Sequence, residues 1–251
     1  MKVTRKQFLQ LSGLSLIAVT ARKLVRGAAN STATESPKTI RWGMAIDVQK
    51  CRRKEGCNGC IKACHSTHNV PQFGDQAREV KWTWKQPFED VFPFAQTQYT
   101  REVFADAPVL LMCNHCDDPP CQDVCPVDAT WRTDEGVVTI DWHRCIGCRY
   151  CMAACPYGSR SFNWQDPRPA IPTVNPDFPT RTRGVVEKCN FCEERLAKRL
   201  PPVCVEACEE KALIFGDLEQ ADSEIRKVLH ARFAVQRKPE LGAGPSVYYL
   251  I

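Results

Sequence analysis

Sixteen cysteines in a chain of 251 residues constrain this sequence more than any other feature. They fall into four sets of four with none left over. Set one is Cys51-x5-Cys57-x2-Cys60-x3-Cys64 and set two is Cys113-x2-Cys116-x4-Cys121-x3-Cys125. Set three is Cys145-x2-Cys148-x2-Cys151-x3-Cys155 and set four is Cys189-x2-Cys192-x11-Cys204-x3-Cys208. A chain this long does not need disulfides as its main staple, so thiols at this density require another use. The rest of the composition, 43% hydrophobic and 25% charged, excludes a polytopic membrane protein, a disordered chain and a fibrous repeat.

Set three, followed by Pro156, is the bacterial ferredoxin run C-x2-C-x2-C-x3-C-P, and set two also ends before a proline, Pro126. Three cysteines two residues apart wrap a tight loop whose sulfurs converge on three corners of an iron–sulfur cubane. The fourth has already left that loop, and in two-cluster ferredoxins it binds the other cluster. By that analogy sets two and three form a swapped pair. Cys113, Cys116, Cys121 and Cys155 would hold one cluster (cluster 3), and Cys125, Cys145, Cys148 and Cys151 its neighbour (cluster 4). Sets one and four, whose insertions break the simple spacing, would pair the same way. Cys51, Cys57, Cys60 and Cys208 would then hold cluster 1, and Cys64, Cys189, Cys192 and Cys204 cluster 2. Two other uses compete. Structural zinc also takes four cysteines, usually as two separated CxxC pairs, and leaves the set-three run unexplained. Disulfides suit an exported protein but do not require the Cys-Pro endings.

The formal net charge is +5, yet residues 1–30 hold six basic residues and no acid. Without those six, 28 basic residues face 29 acidic ones, and no basic excess argues for a nucleic-acid partner. Residues 1–30 have a basic start, an apolar run of about a dozen residues and small residues at Gly27, Ala28 and Ala29. This is the layout of an export signal or a retained membrane anchor, shorter than the roughly 20 apolar residues that span a bilayer. Thr4-Arg5-Lys6-Gln7-Phe8-Leu9 resembles the twin-arginine export motif, with lysine in the second arginine position. Residues 31–38 read as a polar linker. Residues 39–251 read as a four-cluster body: an inner pair over 107–160, an outer pair over 39–80 plus 185–217, and a terminal helix and tail over 218–251.

Oxidised cubanes with four thiolates carry roughly −2 each. Arg52, Arg53, Lys54, Arg144, Arg149, Lys188, Arg195 and Lys198 crowd the ligand sets and are expected to offset that charge. His65, His68, His115 and His143 stand near cysteines and are expected as hydrogen-bonding neighbours, not ligands. Strands are expected over 39–47, 109–112, 136–141 and 212–215, with a hairpin before set three, short helices starting at the two Cys-Pro steps, and a helix over 222–233. Two stretches exceed what a ferredoxin needs: the aromatic-rich 81–107 and the proline-rich 161–184, which would cap the clusters or dock a partner. The apolar tail 247–251 is expected to be buried.

The four sets in this order resemble the four-cluster iron–sulfur subunits of bacterial respiratory oxidoreductases, the NrfC, DmsB and PsrB type. Cys113-Asn-His-Cys-Asp-Asp-Pro-Pro-Cys121, His143-Arg-Cys-Ile-Gly-Cys-Arg-Tyr-Cys-Met-Ala-Ala-Cys-Pro-Tyr-Gly158 and Asn175-Pro-Asp-Phe-Pro-Thr-Arg-Thr182 look like the DsrO branch. So do Gly184-Val-Val-Glu-Lys-Cys-Asn-Phe-Cys192 and Pro245-Ser-Val-Tyr-Tyr249. The resemblance implies an α+β fold of tandem bacterial-type ferredoxin units with long loop insertions, holding four [4Fe-4S] clusters. It implies an electron-transfer subunit of the Dsr membrane complex, on the periplasmic face of the cytoplasmic membrane. The implied partners are an NrfD- or DsrP-type integral membrane subunit that handles menaquinone and a DsrJ-like multihaem cytochrome c. The clusters would run in series, cluster 4 nearest the membrane subunit and cluster 1 farthest. Complete cysteine ligation leaves no open iron, and no pterin, nucleotide or triad motif appears. No catalytic residue and no small-molecule substrate are therefore expected for this chain. The alternatives are the wiring subunit of a molybdopterin oxidoreductase and a structural zinc-binding module.

Overall fold

The computed structural model describes residues 40–104 and 107–251; the expected export segment and linker lie outside the described residues. The elements are short. They run β1 (Trp42–Asp47), α1 (Val48–Cys51), α2 (Gly59–Thr67), β2 (Thr83–Pro87), α3 (Phe88–Val91), α4 (Gln98–Phe104), β3 (Pro108–Met112), α5 (Pro120–Asp123), β4 (Thr130–Arg132) and β5 (Val138–Ile140). Then come α6 (Tyr150–Ala154), β6 (Ser161–Phe162), β7 (Val186–Glu187), α7 (Glu193–Leu196), α8 (Val203–Glu206), β8 (Leu213–Asp217), α9 (Glu224–Ala231), β9 (Ala234–Val235) and β10 (Val247–Leu250).

The largest sheet has the order β8-β1-β10-β9. β1 lies antiparallel to β8, with Met44 opposite Phe215, and parallel to β10, with Met44 opposite Val247. Alternation along β1 sends Met44 and Ile46 into the main core with Val247 and Tyr249, and turns Ala45 toward Ile225 of α9 and Leu250. The apolar tail is thus an interior strand, buried within the body. Helix α9 starts where Ser223 accepts from the Arg226 N–H, and Val228 and Leu229 share the face of Ile225. Among the described residues three two-stranded ribbons complete the sheets: β2–β3, the β4–β5 hairpin that precedes set three, and β6–β7. The result is a mixed α and β body.

The expected helices after the Cys-Pro steps are corrected by the structure. Pro126 and Pro156 open turns, and the short helices α5 and α6 end just before them. Cys155 takes an extended backbone (φ −74°, ψ 110°). A proline crowds the preceding residue out of the helical region and has no N–H to continue the ladder.

The aromatic stretch is mainly core. Trp82, Trp84, Phe88, Phe92 and Phe104 are buried, and β2 within it pairs along all of β3. Phe94 and Tyr99 stay exposed. The proline-rich arm is pinned by an ion pair that sequence reasoning did not single out. Arg181 and Glu187 meet at 2.6 Å, both fully buried. The guanidinium also stacks near Trp82, Trp142 and Phe178, and donates to the carbonyls of His68 and Asn69. A buried pair this well hydrogen-bonded holds the arm in one position.

Asp47 closes β1 and opens α1, the helix that ends in Cys51. Its buried carboxylate accepts from the Lys50 N–H at 2.9 Å and pairs with Arg232. Burial opposes its charge, but the Arg232 guanidinium and the Lys50 N–H overcome this and hold the carboxyl below its usual range. Asp47→Asn keeps an acceptor and loses the charge. We expect it to destabilise by roughly 1.5–3 kcal/mol at pH 7, the scale of a hydrogen bond to a charged group. Because the folded value is depressed, wild type holds this advantage above the unfolded carboxyl range of about 3.9 and loses it as pH falls through the folded value. Thermal unfolding of both proteins should show a constant gap from pH 7 down to about pH 5, narrowing as the pH is taken below about 4.

Candidate metal centres

The structure gathers the sixteen thiols, none in a disulfide, into four neighbourhoods. Around Cys60 lie Cys51, Cys208 and Cys57. Around Cys64 lie Cys189, Cys204 and Cys192. Around Cys116 lie Cys113, Cys121 and Cys155. Cys125, Cys145, Cys148 and Cys151 line one concavity with Ala129, Ile140, Gly147 and Val186. The neighbourhoods are also adjacent in that order: Cys60 acts electrostatically on Cys204, and Cys113 on Cys189. Arg160 lies beside Cys113, Cys121 and Cys151 and so joins the third to the fourth.

Local backbone brings the thiols inward. In Cys113–Cys116, Cys145–Cys148 and Cys189–Cys192, the residue before the second cysteine (His115, Gly147 or Phe191) has positive φ. That reversal costs a non-glycine residue roughly 1–2 kcal/mol but turns successive N–H groups toward one side, an anion-holding concavity. Sulfurs accept from the backbone N–H of Ala129 (Cys125, 3.2 Å), Phe191 (Cys189, 3.5 Å), Val203 (Cys192, 3.4 Å) and Ala212 (Cys208, 3.2 Å).

Such donor sets are hostile to free thiolates. Burial, then the neighbouring sulfurs, push the Cys60 thiol up to about 11; burial, then Cys113, push Cys189 up to about 12. Cys64, Cys116, Cys192 and Cys204 are raised further for the same reasons. Four sulfurs brought together in a poorly hydrated site ionise together only when metal cations replace the protons, which is the chemistry a thiolate-ligated iron–sulfur cluster offers. Near the third group the Tyr157 hydroxyl, beside Cys116 and Cys155, is buried without a partner, as are both side-chain atoms of Asn114. These sites fit the group.

His68 Nδ1 is 2.8 Å from the Cys64 carbonyl and 3.8 Å from its Sγ, and Nε2 meets Glu194 at 3.1 Å. His68, Cys192 and Glu194 converge closely enough to ligate an ion, but both ring nitrogens are already engaged. His115 accepts from the Val138 N–H at 3.0 Å, and burial, then Lys188 and Arg160, hold it well below its usual range as a neutral ring. His65 meets the Thr83 carbonyl, and His143 is exposed. Of the cations the sequence pointed to, Lys188 is buried among the sulfurs. Lys54, Arg144 and Arg195 instead pair with Glu209, Asp141 and Glu206, and Arg149 lies over Trp164. Two that matter were missed. Lys85 lies beside Cys51 and Cys60 and donates to the Cys57 carbonyl; Arg160 is nearly buried and donates to Cys121 Sγ at 3.0 Å. The only local signal for Arg160 was its place five residues after Cys155.

Residues 109–218 match the family described as a 4Fe-4S dicluster domain. The chain is 37% identical to the Hdr-like menaquinol oxidoreductase iron-sulfur subunit 1 of Archaeoglobus fulgidus, across 98% of this chain and 97% of that one. It belongs to the 4Fe-4S ferredoxin superfamily. Other members of the superfamily resemble it over most of their length. The menaquinone reductase iron-sulfur cluster-binding subunit of Nitratidesulfovibrio vulgaris is 36% identical, with 84% of this chain and 89% of that one covered. The arsenate respiratory reductase iron-sulfur subunit ArrB of Shewanella sp. strain ANA-3 is 34% identical, with 84% and 96% covered. No helix among the described residues is long and apolar enough to cross a membrane.

Proposed function

We propose that this chain is an electron-relay subunit holding four [4Fe-4S] clusters, one in each thiol group, in a Dsr-type complex at the periplasmic face of the cytoplasmic membrane. The observation that carries this is the succession of four thiol groups, each adjacent to the next, through one small body. A bound [4Fe-4S] cluster supplies a one-electron carrier whose potential depends on charge, hydrogen bonds and solvent access. The chain's own part is to supply all four donors at each site and to shut out water. It also sets cations, the half-buried Lys85 and the buried Lys188 and Arg160, against the anionic charge. In this role the chain transfers electrons without catalysing a reaction alone.

The relay would run between a menaquinone-handling NrfD-type membrane subunit and a multihaem cytochrome c, with residues 1–30 as export signal or anchor. The fourth group lies most open, and Ile146, Tyr150 and Trp164 stand exposed around it. A docked membrane subunit would cover that apolar rim. The likeness to the iron-sulfur subunit of an arsenate respiratory reductase supports a second reading, the same relay serving a molybdopterin-type reductase. Purification of the native complex in mild detergent, with mass spectrometry of its subunits, tests both. An NrfD-type subunit with a c-type cytochrome and no pterin-binding chain is the expected result, and a large pterin-binding chain in its place overturns the Dsr assignment. Colourless protein containing zinc would sink the relay altogether.

A further inference from the structure

Arg160 stands apart from the other charged residues near the thiols. The guanidinium is 5% exposed and reaches three ways. Nη2 donates to Cys121 Sγ of the third group at 3.0 Å, Nη1 donates to Thr130 Oγ1 at 3.0 Å, and Cys151 of the fourth group also accepts from it. Burial opposes its charge, yet the sulfurs of Cys121, Cys151 and Cys113 hold it ionised more firmly than usual. Lys188, also buried near the thiols, donates instead to the carbonyls of Val138 and Cys189. The backbone N–H groups that donate to sulfur within 3.5 Å, at Cys125, Cys189, Cys192 and Cys208, are by contrast neutral. Arg160 thus places a fixed positive charge, with directed N–H donors, on one ligand of each of two adjacent sites.

We infer that Arg160 is a positioning residue that raises the potentials of the third and fourth centres together, making them a matched pair for electron exchange. The inference rests on the relay reading above. An electron arriving at either site adds negative charge beside the same guanidinium. The reduced state is stabilised at both, and no proton or bond moves at Arg160, which stays charged throughout. The charge acts through the sulfurs it touches, because hydrogen bonds to ligand sulfur and nearby charge are what tune these centres. The first and second groups lie beyond this contact and are served by Lys85 and Lys188.

The test is a redox titration followed by electron paramagnetic resonance on the full chain with its iron, comparing wild type, Arg160→Gln and Arg160→Lys. Iron and sulfide content is measured first. With Arg160→Gln, the reduced-to-oxidised ratio of two centres at a fixed potential should fall at least tenfold, about 59 mV each, while the other two stay put. Arg160→Lys, which keeps the charge and loses the fork, should move the same two centres by a smaller factor. If the glutamine variant fails to assemble its iron, the lysine variant decides: movement of the same two centres supports the inference, and unmoved midpoints overturn it. A change of less than twofold, a shift in one centre alone, or an equal shift in all four also overturns it while leaving the relay intact. Wild type lacking iron–sulfur centres would instead remove the relay reading, and this inference with it.

Discussion

Replacing Cys155 by serine is expected to remove the centre of Cys113, Cys116 and Cys121 while sparing that of Cys145, Cys148 and Cys151, although Cys155 belongs to the latter run. The chain turns out of the run at Pro156, with Cys155 in extended backbone, and the thiol comes to lie beside Cys116. Loss of one of four donors at a closed site gives up much of the folding free energy that the metal contributes. We expect total iron to fall by up to a quarter, or one centre to convert to a three-iron form. The midpoint of thermal unfolding should drop by at least about 8 °C, since each kcal/mol is worth roughly 2–4 °C in a chain of this size. Cys113→Ser should delete the same spectral component, and Cys145→Ser a different one. If Cys155→Ser and Cys145→Ser delete the same component, the crossed assignment is wrong.

The second large effect is expected from Gly147→Ala, in the loop that carries Cys145 and Cys148. Gly147 has φ +69°, and a Cβ there would lie 2.2 Å from the Gly184 carbonyl oxygen and 3.1 Å from the Phe162 ring. The first contact is with backbone, so no rotamer change relieves it; either the loop or the 184 segment must move. With the left-handed penalty of about 1–2 kcal/mol added, the loss should exceed about 3 kcal/mol and fall first on the fourth centre. Gly158→Ala is the control. Its φ is +64° but nothing lies within 4 Å of the added Cβ, so only the same left-handed cost of about 1–2 kcal/mol is expected, with iron content unchanged. Equal iron and equal unfolding midpoints in the two variants would show that the 184 carbonyl does not pack against this loop.

The local pattern was largely legible. The hairpin before the third set, the terminal helix beginning near Asp222 and the buried tail follow from side-chain periodicity and turn residues over a few positions. The Cys-Pro steps were misread because proline suits the first turn of a helix in isolation. Here each preceding cysteine lies at the end of a helix and must leave it. Of the histidines expected as hydrogen-bonding neighbours, His68 and His115 hydrogen-bond around the thiols, whereas His143 is exposed.

The charged residues divide the two kinds of information most sharply. Counting cations near cysteines pointed to eight, of which Lys188 is the one buried against the sulfurs. Arg160 and Lys85 came from outside the runs, and nothing in the stretches 175–182 and 184–192 indicated that Arg181 and Glu187 would pair to fix the proline-rich arm. The sequence by itself determined that thiols would be held in tight brackets, because a bracket of two or three residues can close in few ways. The tertiary structure alone decided which brackets stand side by side, which strand the tail joins, and which positive charges are buried between the sites. A buried charge is tolerated only where distant segments supply its partners, and their meeting is a property of the whole packing.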